Sequence, residues 1–330
     1  MTSFWSDRNV FVTGATGLLG SWLTEALLDR GARVIALVRD QVPDSLFASR
    51  RLFERAVVVS GALEDFQLLV RVLNEHEVDS IFHLGAQTIV GTAARSALST
   101  FESNIRGTYH VLEAARSSKL VERIVVASSD KAYGIHEQLP YTESARLEGR
   151  FPYDVSKSCA DLISRSYFFT YELPVAITRC GNLFGPGDLN FNRLIPGTIR
   201  SALLGQRPQI RSDGTWVREY FYVEDAVLAY LRLAEHLPSA GVTGEAFNFG
   251  TDRPLSVLEV VSAILEATRR SDLEPEILGV AQHEIPRQAL DNTKSKSRLG
   301  FAARYSFEEA IAKTVPWYRA RLPQDAVRRP

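Results

Sequence analysis

Two pairs of residues in this chain have the types and spacing to move protons. Tyr153 and Lys157, in the run Tyr-Asp-Val-Ser-Lys, stand four positions apart, so a helix would put them on one face. The lysine charge there favours the tyrosinate and lets the phenol act as a base below its ordinary range. Beside a nicotinamide, such a pair oxidises a secondary alcohol. Asp130 and Lys131, adjacent in the chain, add a second acid and a second base that a plain alcohol oxidation does not need. The pattern implies two kinds of proton transfer on one carbon skeleton.

These residues need a scaffold that brings them together. Asn9 to Thr13 reads as a short apolar strand, followed by Gly14-Ala15-Thr16-Gly17-Leu18-Leu19-Gly20 and an amphipathic helix from Ser21 to Arg30, which Gly31 ends. Further strand patterns lie at Arg33 to Val38, Ala56 to Ser60, Ser80 to Leu84, Arg123 to Ala127 and Pro174 to Arg179. Helical patterns separate them at Leu63 to Glu75, Leu98 to Lys119 and Tyr153 to Tyr171. This alternation predicts an α/β fold, a doubly wound parallel sheet of the Rossmann type. After Gly181 the alternation breaks into Gly, Pro, Asn and Arg clusters. We therefore expect a dinucleotide-binding domain over 1–180 and a smaller C-terminal substrate-binding lobe over 181–330. Segments such as Val223 to Leu237 are expected to return to the main body, and Pro323 to Pro330 to fray.

Composition narrows the function classes. With 330 residues, 45% hydrophobic and 23% charged, the chain has ample material for a core. A net charge of −1 argues against a broad nucleic-acid or membrane footprint. The two cysteines, Cys159 and Cys180, lie in helical or apolar runs and read as buried thiols of a reducing compartment, not as a disulfide or metal site. No signal peptide and no membrane span is apparent, so a cytoplasmic location is expected.

The glycine turn follows a first strand and opens a helix, where a backbone can approach a pyrophosphate and the helix N-terminus favours negative charge. Gly14, Thr16, Gly17, Leu18, Leu19 and Gly20 are therefore expected at a dinucleotide. The second strand ends in Arg39-Asp40. A carboxylate there holds a ribose diol and favours NAD, whereas an arginine suits the 2′-phosphate of NADP. NAD is expected, with NADP as the alternative. Arg123 to Ser129 carries Ser128, Ser129, Asp130 and Lys131 to a strand end, where ligand crevices of such sheets lie.

In these motifs the chain resembles the extended short-chain dehydrogenases/reductases. Within them it resembles the nucleotide-sugar 4,6-dehydratases, above all the CDP-glucose 4,6-dehydratase branch, over nearly its whole length. That branch has Ser/Thr-Asp-Lys where dTDP-glucose enzymes have Thr-Asp-Glu. Gly17 to Leu23, Val42 to Phe47, Cys180-Gly181-Asn182, Gly185-Pro186-Gly187-Asp188, and Arg193 with Ile195-Pro196 carry the likeness further. The resemblance implies that Tyr153 takes the C4 hydroxyl proton while Ser129 hydrogen-bonds the ketone and Lys157 tunes Tyr153 and holds the nicotinamide ribose. Lys131 then takes the C5 proton and Asp130 protonates the departing C6 hydroxyl. The product is a 4-keto-6-deoxy sugar, and no metal is needed.

The resemblance also implies supporting residues. The backbone of Leu84, Gly85 and Ala86 would pass the cofactor, with Gly85 standing where the family usually has Ala, and Gln87 would face the sugar. His83 reads as a satisfied strand-end histidine. Asn104 resembles an asparagine that organises the active site, with a plain helix–helix hydrogen bond as the alternative, and it is placed with the substrate residues. Asn182, Arg218 and Arg287 match positions that hold the nucleotide diphosphate, and Arg193 could reach the nucleotide. Two departures stand out: Gly61-Ala62-Leu63 lacks the family's carboxylate at its second position, and Glu219-Tyr220 replaces Asp/Pro-Trp. A homodimer is implied, through Leu98 to Lys119 and Tyr153 to Tyr171, with Tyr167, Phe168, Phe169 and Tyr171 as core or interface. A nucleotide-sugar 4-epimerase is the alternative enzyme, against which Asp130-Lys131 speaks. A non-catalytic dinucleotide sensor is the third reading, against which the retained Tyr153 and Lys157 speak.

Overall fold

Alternating strands and helices build one parallel sheet. The computed structural model describes residues 3–237, 239, 241–281 and 284–322. The strands of its central sheet are β1 (Asn9–Thr13), β2 (Arg33–Val38), β3 (Val57–Ser60), β4 (Ser80–His83), β5 (Arg123–Ala127), β6 (Val175–Cys180) and β7 (Ala246–Phe249). They lie in the order β7-β6-β5-β4-β1-β2-β3, every pairing parallel. The order reverses between β1 and β4, and a crevice opens at the C-terminal ends there. Thr13, His83, Ala127 and Cys180 are the last residues of β1, β4, β5 and β6, so the segments after them share one sheet edge.

Successive strand residues face opposite ways, which gives the sheet two cores. Val10 and Val12 join α1 (Leu18–Leu28) on one face, while Phe11 joins α2 (Phe66–Glu75), α3 (Gly107–Ser117) and α4 (Pro152–Tyr171) on the other. Beyond β6, α5 (Leu194–Leu203), α6 (Val223–His236) and α7 (Val257–Ala267) follow. α6 packs with α1 on the sheet, and β7 pairs with β6. α5 and α7 share a small apolar core of Ala202, Ile210, Val257, Val261 and Leu265.

Several boundaries differ from the sequence expectation. α1 starts at Leu18, not Ser21, because Gly17 is the cap and Gly20 lies inside the helix. α2 starts at Phe66, where Asp65 caps it by accepting from Leu68 N at 3.0 Å. Leu98 to Lys119 is not one α-helix: a π-helical turn at Glu102–Arg106 separates Ala97–Phe101 from α3. β7 has no counterpart in the sequence reading. Tyr167 and Phe168 pack on the second core, whereas Phe169 and Tyr171 are exposed. The Pro323 to Pro330 tail lies outside the described residues. Among the described residues no helix is long and apolar enough to cross a membrane, and no cluster of His, Cys, Asp and Glu is placed to hold a metal.

Candidate active site

The glycine turn is compact, because at two of its glycines a Cβ would stand within 3 Å of backbone. Gly14 has φ +71°, and a Cβ there would stand 2.8 Å from Gly85 N. At Gly20 a Cβ would stand 2.0 Å from Gly14 O. Gly17 N donates to Gly14 O at 3.0 Å and caps α1, whose first turn carries no acidic residue. The helix N-terminus is thus free of competing negative charge at the cleft.

A buried polar chain fixes the facing segment. Leu84 N and Gly85 N donate to Thr13 Oγ1 at 3.1 and 3.0 Å. Thr13 Oγ1 lies 2.9 Å from His83 Nδ1, and His83 Nε2 lies 3.0 Å from Thr108 Oγ1. Thr108 spends its proton on Asn104 O at 2.6 Å, so the network assigns the imidazole proton to Nε2. Burial pushes His83 down to about 3, so it stays neutral as the satisfied histidine expected. Asn104 sits in the π-helical turn and accepts from Gln87 N at 2.7 Å. It also donates to Gln87 O at 3.0 Å and Ser156 Oγ at 2.8 Å. At 1% exposure with its amide committed, Asn104 braces Gln87 and stands behind the cleft wall, away from the place expected for a substrate residue.

The catalytic cluster grows from the end of β5. Ser129 is extended and caps a short 3-10 turn, Asp130–Tyr133, accepting from Lys131 N at 3.3 Å. Its hydroxyl lies 3.0 Å from Asp130 Oδ1 and also hydrogen-bonds Tyr153. Lys131 Nζ donates to Asn182 Oδ1 at 2.9 Å and lies 3.5 Å from Asp130 Oδ1. Ser158 on α4 donates to Ala132 O at 2.8 Å and ties the turn to the helix. Pro152 opens α4 at a position where a missing N–H costs nothing, and one turn carries Tyr153 and Lys157 to the same wall. Lys157 Nζ donates to Ala127 O at 2.7 Å.

Burial dominates the electrostatics of this pair. It pushes Tyr153 up to about 12, with Arg193 and the Ser129 hydrogen bond acting to hold it lower. It pushes Lys157 down to about 8. The expected lowering of the phenol by Lys157 is therefore overturned, because desolvation of the phenolate outweighs the neighbouring charges. Asp154, which the sequence reading passed over, is buried in the first turn of α4. Desolvation raises it to about 6, against Lys131, the Phe151 N–H and Arg218.

A cleft of about 1640 Å³ collects most of the expected residues. Its wall includes Gly14, Thr16, Gly17, Leu18, Leu19, Gly20, Arg39, Asp40, Leu84, Gly85, Ala86, Tyr153 and Lys157. Ser129, Lys131, Gln87, Asn182, Arg193 and Arg218 line it too. Asp130, 1% exposed, stands behind Ser129 and Lys131 and does not form the wall. Arg287 is exposed and pairs its backbone with Val217, also away from the wall. Arg218 is buried and donates to Val217 O and Pro286 O at 3.0 and 2.9 Å. Arg193 bonds Asp188 at 3.1 Å and reaches Thr88 Oγ1 at 3.4 Å. At the end of β2, Arg39 Nε meets Asp40 Oδ2 at 2.7 Å. Glu64, two places past the missing carboxylate at Ala62, lines the cleft and accepts from Ser103 Oγ at 3.1 Å. The tight glycine cradle, the open helix N-terminus and the strand-end carboxylate fit a dinucleotide.

The chain is 32% identical to a CDP-glucose 4,6-dehydratase of Salmonella typhimurium, over 96% of this chain and 92% of that one. DesIV, a dTDP-glucose 4,6-dehydratase of Streptomyces venezuelae solved with NAD bound, superposes with a TM-score of 0.86 at 30% identity, covering 95% and 97%. A UDP-glucose 4-epimerase of Thermotoga maritima, solved with UDP-glucose, superposes with a TM-score of 0.87 at 26% identity, covering 96% and 100%. The model of the GDP-mannose 4,6 dehydratase family matches residues 11–314, and the chain belongs to that family.

Proposed function

We propose that this chain is an NAD-dependent nucleotide-sugar 4,6-dehydratase that converts CDP-glucose to CDP-4-keto-6-deoxyglucose and water. One observation carries the reading. Lys131, backed by Asp130 at 3.5 Å, shares a cleft wall with Ser129, Tyr153 and Lys157, at the crevice onto which the glycine turn opens.

The glycine turn and the N-terminus of α1 would hold the pyrophosphate of NAD, Asp40 its adenosine ribose, and Tyr153 and Lys157 its nicotinamide end. When bound, NAD supplies a hydride acceptor at C4 and returns that hydride at C6. Asp40 at the strand end, engaged with Arg39, favours the ribose diol over a 2′-phosphate.

Tyr153 takes the C4 hydroxyl proton, and Ser129 hydrogen-bonds the oxygen as it becomes a ketone. The ketone acidifies the C5 hydrogen, which Lys131 Nζ removes as the neutral amine. Asp130, one hydrogen bond behind the wall, gives its proton to the C6 hydroxyl by way of the Ser129 hydroxyl, 3.0 Å from its Oδ1, and the C6 oxygen leaves as water. Lys131 then returns its proton to C5. The proton on Tyr153 balances the one Asp130 lost, so the enzyme's proton count closes. For this cycle the proton shared by Asp130 and Lys131 must sit on the carboxyl in the reactive state.

Arg218 and Asn182 are proposed at the diphosphate, with Arg193 and Gln87 towards the sugar. CDP is favoured by the Ser-Asp-Lys run and the Salmonella relative, while the dTDP-glucose enzyme stands nearly as near in identity. The epimerase reading is weaker, because C4 inversion leaves Asp130 and Lys131 without a task. A homodimer belongs to the same reading: Leu98, Leu162 and Phe169 leave apolar surface on the expected interface helices, with exposures of 74%, 54% and 67%.

The test is mass spectrometry of the purified protein with NAD and, separately, CDP-, GDP-, dTDP- and UDP-hexoses. Loss of one water from the CDP sugar alone is the expected result. Loss from another nucleotide sugar would replace CDP, and C4 inversion with no loss of mass would replace the dehydratase reading with an epimerase.

A further inference from the structure

The acid–base pair begins a 3-10 turn whose last residue, Tyr133, is fully buried and has no part in the chemistry above. With three residues to the turn, side chains at i and i+3 eclipse one another. Asp130 and Tyr133 are such a pair, so holding the phenol steadies the turn from which the carboxylate projects.

The phenol is held on both sides. It donates to Asn248 Oδ1 on β7 at 2.6 Å and accepts from Arg179 Nη1 on β6 at 2.9 Å. Arg179 is anchored in turn, with Nε and Nη2 donating to the two oxygens of Asp161 on α4 at 2.7 and 2.9 Å. Its Nη1 also reaches Glu143 O at 3.1 Å. Tyr141 stacks on the Tyr133 ring, with centroids 4.7 Å apart and planes 18° from parallel, and donates to Gly134 O at 2.6 Å. Asn248 Nδ2 closes the circuit on Tyr141 O at 2.8 Å.

An ion pair buried as deeply as Arg179–Asp161 contributes little to stability, because desolvation offsets its attraction. A network whose members satisfy one another instead fixes geometry. We infer that Tyr133, held by Arg179 and Asn248, is a positioning residue for water elimination, setting the direction of the Asp130–Lys131 turn against α4. The inference rests on the dehydratase reading. It assigns the smaller effect to C4 oxidation, because Tyr153 and Lys157 are placed by α4 and by the Lys157 bond to Ala127 O, and Ser129 stands at the start of the turn, three residues before Tyr133's neighbour Ala132. Burial raises the Tyr133 hydroxyl well above its ordinary range, so it remains a donor at every working pH.

The experiment is a single turnover with NAD and the nucleotide sugar that the wild type dehydrates, followed by the absorbance of reduced nicotinamide. Its rise reports C4 oxidation, and its decay reports elimination with hydride return. Tyr133→Phe keeps the stacked ring and removes one oxygen. The expected result is a rise within about twofold of wild type and a decay slowed about tenfold or more. Tyr141→Phe frees Gly134 O at the far end of the turn and slows the same phase by less. Circular dichroism and melting establish that each variant is folded, and if Tyr133→Phe does not fold, Tyr141→Phe decides alone. Unchanged decay, or both phases slowed by one factor, overturns the inference while leaving the dehydratase reading intact. A wild-type protein that inverts C4 and eliminates no water overturns that reading, and the inference with it.

Discussion

Lys131 points its ammonium at the side chain of Asn182, with Nζ 2.9 Å from Oδ1, although 51 positions separate the two residues. Parallel pairing of β5 with β6 explains the meeting, since the segments after both strands rise from one sheet edge. An amide oxygen orients the ammonium without holding its proton as firmly as a carboxylate would. Asn182→Asp puts that carboxylate in place at nearly the same size. We predict that elimination slows by about tenfold to a hundredfold while C4 oxidation persists, seen as reduced nicotinamide that accumulates and decays slowly. Equal rates in variant and wild type would remove Asn182 from this role.

Strand positions were legible because apolar runs bounded by polar residues and glycine have few other uses. Asn9–Thr13, Arg33–Val38 and Arg123–Ala127 fall where the pattern puts them. The π-helical turn was not legible, since apolar spacing over twenty residues absorbs an altered turn, and only the partners of Asn104 reveal it. β7 was hidden by its length, four residues between Glu245 and Gly250. Asp154 reads as filler within the Tyr-to-Lys spacing, and its burial depends on the loop at Gly149, where a Cβ would stand 2.6 Å from Asp154 C. The direction of the Tyr153 shift failed for a related reason: spacing reports which charges are near, while burial depends on the whole fold.

The Tyr153 and Lys157 shifts make a pH prediction for C4 oxidation. With the phenol pushed up to about 12, tyrosinate is scarce at neutrality and grows as pH rises. Lys157, pushed down to about 8, loses its charge above that pH and withdraws positive potential from the wall. The logarithm of the oxidation rate should climb with a slope near one from about pH 6 to 8 and flatten or fall beyond it. Stopped-flow measurement of reduced nicotinamide across this range checks the profile, and a flat line below pH 8 would contradict it.

Asp154 predicts a pH dependence of stability that can be read without substrate. Its carboxyl rises from 3.8 to about 6 on folding, chiefly by desolvation, among Lys131, Asp130, Arg218 and the Phe151 N–H. Below the unfolded value it is protonated in both states and carries no penalty. As pH rises from the unfolded value to the folded one, the unfolded chain releases this proton while the buried carboxyl keeps it, so the folded state loses stability until the loss is complete above the folded value. Asp154→Asn cannot titrate, so its stability relative to wild type should improve between about pH 4 and 7, by up to about 3 kcal/mol. Urea midpoints at the two ends of that window measure the change. A difference that does not vary with pH would place the carboxyl in a less costly setting.

The cofactor cradle makes the last prediction, and here the usual expectation for a helical glycine reverses. Replacing glycine by alanine inside a helix ordinarily stabilises it by about 1 kcal/mol. At Gly20 the new Cβ would stand 2.0 Å from Gly14 O, 2.7 Å from Gly14 C and 2.8 Å from Ala15 Cα. All three are backbone atoms of the turn itself and cannot swing aside as a side chain would. Gly20→Ala must therefore push the turn away from α1 and open the cradle that would hold the pyrophosphate. We predict a loss of NAD affinity of about tenfold or more, which is about 1.4 kcal/mol, measured by calorimetry with no sugar present. Gly17→Ala is the graded control, because its Cβ meets Gly14 O at 3.3 Å and needs only a small adjustment. Its loss should be smaller than that of Gly20→Ala. If Gly20→Ala binds NAD like wild type and melts higher, the turn yields more readily than its packing implies, and the glycine is not needed for the cofactor.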